Sequence, residues 1–237
     1  MILDFHLHTT NSTENYGLDE IRRVMRENGV DKAVIFPMKQ GSSDELMRRN
    51  MDNAKDVDKN LFPFFRLDPK SVKMNEFLEI SGKFYGFKLH PRAENFDPFS
   101  SALEPFFEEI ARQHKPVIIH SRKENNQNTD PDRIIGLADM YPDINFVFGH
   151  FANDSEVFFG KLNERKNAYV ETSIVSSPKI IEIRVKQVGC GKILFGSDFP
   201  YSDQEIELLK IRKAGLSDYE KDRILYANAK NLLGLQG

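Results

Sequence analysis

Short apolar, β-rich runs recur along the chain and alternate with longer segments in which apolar residues return at helical spacing. The runs fall at 2–8, 32–37, 61–67, 84–90, 116–120, 145–150, 168–173 and 192–196, eight in all. Helical stretches at 18–28, 43–58, 102–113, 131–140, 155–163 and 178–187 separate them, and three more at 204–214, 217–226 and 229–233 follow the eighth run. The runs are apolar on both faces, as strands are when helices cover the outside of a parallel sheet. Local signals mark several boundaries. Asn28-Gly29 offers a residue able to take a left-handed φ after the first helix. Asp130-Pro131 and Ser177-Pro178 each place a capping side chain before a proline at the first helical position. The eightfold alternation predicts an α/β fold, a (β/α)8 TIM barrel with room for distortion and with extra C-terminal helices. A doubly wound open sheet is the alternative, because counting strands does not show closure.

Composition narrows the class. At 237 residues the chain is close to the ~250 of one such barrel, and no linker or low-complexity block divides it, so residues 1–237 are expected to form one domain. A hydrophobic fraction of 40% with 29% charged residues is that of an ordinary soluble protein. The net charge of −3 gives no basic field for nucleic acid or an anionic membrane. The single cysteine, Cys190, excludes an intrachain disulfide and a cysteine-based zinc knuckle. With no run of about 18 apolar residues and no basic-then-apolar opening, a cytoplasmic location is the expectation.

The informative polar residues stand where the predicted strands end. In a parallel barrel the reactive groups belong at the C-terminal ends of the strands. His6 and His8 end the first run, Arg66 lies near the end of the third, Lys88 and His90 end the fourth, His120 the fifth and His150 the sixth. Glu171 lies late in the seventh run, and Asp198 follows the eighth within Leu194-Phe195-Gly196-Ser197-Asp198-Phe199-Pro200. Five of the six histidines therefore sit at strand ends; His114, before Lys115-Pro116, reads as a helix-end residue. Strand alternation turns His6 and His8 the same way, into the barrel, with Phe5 and Leu7 toward the helices. Neutral imidazoles in such a pair suit zinc and other first-row divalent ions. Asp4 shares their parity and stands either as an orienting partner or as a buried structural carboxylate. Asp198 is better read as catalytic than as a helix cap, since Asp203 is better placed to cap.

The motifs DFHLH at 4–8, GFKLHP at 86–91, PVIIHS at 116–121, FVFGH at 146–150, YVETS at 169–173 and LFGSDFP at 194–200 resemble, in order and over nearly the whole chain, the amidohydrolase superfamily. The likeness is to its amidohydrolase-2 branch of TIM-barrel metal-dependent hydrolases and decarboxylases. The resemblance implies metal ligation by His6, His8, His120 and Asp198, with Asp198 also catalytic and His150 as an acid/base or polarising group. It implies a divalent cofactor, zinc first and manganese or another first-row ion as alternatives, and one ion rather than two. Some members carry a carboxylated lysine bridging two ions on the fourth strand; a cationic Lys88 contacting substrate is the simpler expectation. The opening segment also resembles the PHP phosphoesterases, but the second strand leads into Phe36-Pro37-Met38-Lys39 without the ligands that family implies.

Arg66, Lys88, Arg92, Arg122 and Lys123 cluster near predicted strand ends and point to a small anionic substrate. Arg92 and Lys123 are expected to pair with neighbouring carboxylates. Arg66, Lys88 and Arg122, with His90 beside them, are the substrate-binding candidates. The leading expectation is hydrolysis of an ester, lactone or amide through metal-activated water, favoured by a chain too short for the insertions of many decarboxylases. Decarboxylation of an aromatic or unsaturated acid is the alternative, and a phosphoesterase a further one. A non-enzymatic barrel would show its metal mouth sealed off from His150. Loops at 11–16 and 123–130 are candidates to fold over a substrate.

Overall fold

The expected alternation closes on itself. The computed structural model describes residues 1–10, 17–39, 41–55 and 58–236. Eight parallel strands, β1 (Leu3–Thr9), β2 (Lys32–Pro37), β3 (Leu61–Arg66), β4 (Gly86–Leu89), β5 (Val117–Ile119), β6 (Phe146–Phe148), β7 (Ala168–Glu171) and β8 (Ile193–Leu194), pair in sequence order. The Phe5 amide donates to the Phe195 carbonyl at 2.9 Å, Asp198 N to His6 O at 2.8 Å, and His8 N to Phe199 O at 2.8 Å. These bonds join the last strand to the first, so the fold is a (β/α)8 barrel and not an open sheet. Every observed strand overlaps a run read from the sequence, and only β1, which extends to Thr9, passes the end of its run.

The helices follow their local chemistry. Helix Leu18–Asn28 ends on Gly29 at φ 70°, the left-handed position that glycine occupies without strain. Asp130 and Ser177 cap the helices that Pro131 and Pro178 open, accepting from the Asp132 and Ile180 amides. Asp203 caps helix Gln204–Lys213, which leaves Asp198 free of that task. His114 takes a left-handed φ of 52° just past helix Glu104–Arg112. A short helix, Met74–Ile80, fills the β3–β4 connection, where the sequence pattern marked none; only Phe77 of it is buried, so it carries too little amphipathic repeat to register. Residues 56 and 57 at the end of the expected 43–58 helix, and the loop at 11–16, lie outside the described residues. Among the described residues no helix is long and apolar enough to cross a membrane.

Two apolar shells sandwich the strands. Leu7, Ile35, Phe65, Phe87, Leu89, Phe148 and Phe195 face the helices, whereas Leu3, Phe5, Val34, Phe36, Phe62, Phe64, Ile118, Val147 and Leu194 fill the barrel interior. Phe5 therefore contradicts strict alternation: it points inward and packs edge-on against Phe64. The cause is a β-bulge. Asp4 pairs with Ala33 but Leu7 pairs with Ile35, so β1 holds one residue more than β2 over that stretch. The bulge puts both Phe5 and His6 inside. It also separates Asp4 from the parity of the histidines. Asp4 instead accepts from the His6 and Ser197 amides, both at 3.0 Å, and from Gln204 Nε2 at 2.9 Å. It is a seam between the first and last strands. Tyr226, Leu232, Leu233 and Leu235 of the tail pack on the interior shell and stopper the end of the barrel opposite the histidines.

Candidate metal centre

β1 and the turn after β8 bring three donors to one point. His6 Nε2 and His8 Nε2 are 3.3 Å apart, and Asp198 Oδ1 lies 3.2 Å from the first and 3.1 Å from the second. Metal–ligand bonds of about 2.0–2.2 Å produce donor–donor edges of roughly 3.0–3.5 Å, so the three atoms fit around one divalent ion. The donor set, two imidazoles and a carboxylate, suits a first-row ion. Asp198 reaches the point because its residue takes a left-handed φ of 59°, held by its own amide on His6 O and by the Tyr201 amide on its carbonyl. Both imidazoles are held well below their ordinary proton affinity, by burial first and then by the Lys88 charge, which keeps them in the neutral form that binds metal.

Lys88 belongs to this floor and not to an outer rim. It is fully buried, its Nζ lies 3.2 Å from His6 Nε2 and 4.7 Å from the Phe36 ring centre, and burial brings its pKa down to about 7.

Glu171, noted in the sequence only for its position, proves to be the hub beneath the site. Its Oε1 accepts from His6 Nδ1 at 2.9 Å, His150 N at 2.6 Å and Ser173 Oγ at 2.9 Å, and its Oε2 from Ser173 N at 2.6 Å. Since Nδ1 of His6 donates to this carboxylate, Nε2 is left with its lone pair toward the three-donor point. Glycines make room for the hub: a Cβ at Gly196 would overlap Glu171 Oε2, and one at Gly149 would stand 3.3 Å from Oε1. The signal in the sequence was a carboxylate at an inward strand-end position flanked, across the sheet, by two glycines.

The other half of the site is built around His150. Its Nε2 is 2.8 Å from His120 Nδ1, its Nδ1 is 3.0 Å from Ser173 Oγ, and Asp198 Oδ2 lies 3.8 Å from the same Nδ1. His120 is thus outside the three-donor cluster, reaching it through His150; its Nε2 is buried without a hydrogen-bond partner, and its ring stacks on His90 at 3.8 Å. Burial also keeps His90, His120 and His150 well below their ordinary proton affinity. His150 opens a run of five left-handed residues, 150–154, with φ between 47° and 56°. Such backbone costs L-residues about 1–2 kcal/mol each and persists only where the surroundings determine it. Arg184 does so from helix Pro178–Val188: its buried guanidinium donates to Asp154 Oδ1 at 2.6 Å and Asp154 O at 3.0 Å, and stacks over Phe159, which packs on Phe151.

A cavity of about 350 Å³ opens above these groups, lined by His8, Lys88, His90, His120, His150 and Asp198. The mouth is therefore not sealed off from His150. Of the cations at its wall, Arg66 is bound to Glu94 at 2.9 Å and to the Pro37 carbonyl, and Arg92 to Glu124 at 2.7 Å; Lys123, outside the wall, pairs with Asp132. Arg122 is exposed and, among the described residues, has no carboxylate within ion-pair distance. The 123–130 loop is ordered by its own bonds, with a helical turn at Gln127–Thr129 and Arg122 N donating to Thr129 O.

Comparison with known proteins places this architecture. A manganese-bound 5-carboxyvanillate decarboxylase from Novosphingobium aromaticivorans superposes with a TM-score of 0.82 at 15% identity, covering 99% of this chain and 96% of that one. A 2,6-dihydroxybenzoate decarboxylase from Rhizobium gives 0.78 at 13% identity over 100% and 99% of the two chains. A putative 2-pyrone-4,6-dicarboxylic acid hydrolase from Pseudomonas putida gives 0.75 at 17% over 98% and 97%. At these identities the likeness is one of fold. No curated protein sequence matches the chain. The sequence profile of the amidohydrolase family Amidohydro_2 matches residues 6–235, which sets the phosphoesterase resemblance aside: the chain belongs to the Amidohydro_2 amidohydrolase family.

Proposed function

We propose that the chain is a divalent-metal enzyme that binds a small anionic carboxylic acid above His6, His8 and Asp198 and removes its carboxylate as CO2. The carrying observation is the convergence of His6 Nε2, His8 Nε2 and Asp198 Oδ1 within 3.1–3.3 Å of one another at the floor of an open cavity. The decarboxylases among the structures of like fold support this reading over the hydrolytic one favoured by chain length. A single zinc or manganese ion held by His6, His8 and Asp198, with His120 as a fourth candidate ligand, would polarise the substrate's oxygen atoms. Arg122 receives an anionic group at the cavity wall. The bond to CO2 breaks with its electron pair left on the substrate carbon, and that carbon takes a proton from His150. An anion in the cavity raises the proton affinity of this imidazole, and solvent at the mouth restores the proton.

Hydrolysis of an ester or lactone is the second reading, favoured by Asp198 Oδ2 beside His150 Nδ1 at 3.8 Å, a carboxylate and an imidazole placed to take a proton from water. The test is a panel of hydroxybenzoates, unsaturated acids and lactones with Mn2+- or Zn2+-loaded protein, reading CO2 and acid release separately. Metal-dependent CO2 release is expected. Lactone opening without CO2 would transfer the assignment to hydrolysis, and no turnover of either kind with a bound metal would sink both.

A further inference from the structure

Ser173 lies past the end of β7, fully buried, between Glu171 and His150. Its place decides the direction of a chain of hydrogen bonds. Glu171 already accepts from His6 Nδ1 and from the His150 and Ser173 amides, so the Ser173 hydroxyl, 2.9 Å from Oε1, spends its one hydrogen there. The hydroxyl can then only accept from His150 Nδ1 at 3.0 Å, which must carry a proton. His150 Nε2 is left bare and accepts from His120 Nδ1 at 2.8 Å. His120 Nε2 is then bare in turn; it is buried at the cavity wall without a hydrogen-bond partner, with Glu124 Oε2 3.7 Å away. The reverse direction would set a hydroxyl lone pair against Glu171 Oε1 at 2.9 Å.

We infer that Ser173 is a positioning residue that passes the orientation set by Glu171 to His150 and His120, so that His120 Nε2 presents a lone pair to the cavity. Glu171 sets His6 directly and His120 through three links, so one carboxylate turns an accepting nitrogen toward the site from both sides. The use made of that lone pair rests on the functional reading above; the direction of the chain does not.

The experiment is long-range 1H–15N correlation of ring-labelled histidines in metal-free protein, with His120 and His150 assigned from His120→Gln and His150→Gln. The wild-type chain is expected to show both rings protonated at Nδ1. Ser173→Ala keeps the backbone N–H to Glu171 Oε2 but removes the relay, and both rings are expected to shift to mixed or Nε2-protonated forms, while Ser173→Thr keeps the wild-type pattern. A wild-type His120 protonated at Nε2, or a Ser173→Ala spectrum unchanged at both rings, would overturn the proposal. Neither result depends on turnover, so failure of the decarboxylase reading leaves this test intact.

Discussion

The two sides of the site are held by different means. On the β1–β8 side, His6, His8 and Asp198 ride on backbone that closes the barrel: the Asp198 amide bonds to His6 O and the His8 amide to Phe199 O. On the β6–β7 side, His150 rides on a left-handed run that no sheet bond sustains and that an outer-helix arginine clamps through Asp154. The first side takes its backbone placement from the bonds that close the barrel. The second must be held by particular side chains, and is where geometry can be lost while the fold survives. Glu171 touches both, through His6 Nδ1 and His150 N.

The largest expected effect separates the sides cleanly. Asp198→Asn removes a charged donor from the three-donor point and is expected to weaken Mn2+ binding by at least about 100-fold, since even outer partners of a metal site cost roughly 10–100-fold. Calorimetric titration checks it, and near-wild-type affinity would place the metal elsewhere. Gly196→Ala strikes the hub: its Cβ overlaps Glu171 Oε2 and stands 3.0 Å from His6 Cβ. Overpacking of this kind costs about 1–3 kcal/mol, visible in urea denaturation. Gly149→Ala, at 3.3 Å from Oε1, is expected to cost less, and the reverse order would contradict the hub.

Arg184→Met probes the other side. Loss of hydrogen bonds to charged groups is expected to cost about 1–3 kcal/mol, with Mn2+ affinity kept within a few-fold and turnover reduced. Equal loss of metal affinity would show that the two sides are not separable. The smallest effect concerns Asp4, the seam. Burial pushes its carboxyl up to about 7 against the bonds from Ser197, Gln204 and His6. Between the ordinary aspartate value and about 7 the folded chain holds a proton that the unfolded chain has released, so this group's contribution to stability falls as pH rises through that window. The depressed histidines act with the opposite sign, losing stability as pH falls below their ordinary value. Asp4→Asn is therefore expected to reduce the loss of stability from pH 5 to pH 8; an unchanged slope in urea midpoints would contradict it.

The same contrast explains what could be read from the chain. Strand runs ending in His6, His8, His120 and His150 were legible because a polar side chain terminating an apolar run is a local signal. So was Asp198, exposed by the better cap at Asp203. The bulge that turns Phe5 inward was not, because an extra residue in β1 is defined only by its pairing with β2. Glu171 looked like any strand-end carboxylate until three strands and two glycines met around it. Arg66 and Lys88 read alike as basic residues at strand ends. Packing separates them: one is bound to Glu94, the other buried beside His6. Arg184 lies on an outer helix and carries no strand-end signal at all.

Anomalous diffraction from crystals grown with Mn2+ or Zn2+ locates the metal at this site. One ion is expected, bonded to His6 Nε2, His8 Nε2 and Asp198 Oδ1 at about 2.0–2.2 Å. A peak away from these three atoms, or bound metal that survives unchanged in His6→Ala, would contradict it.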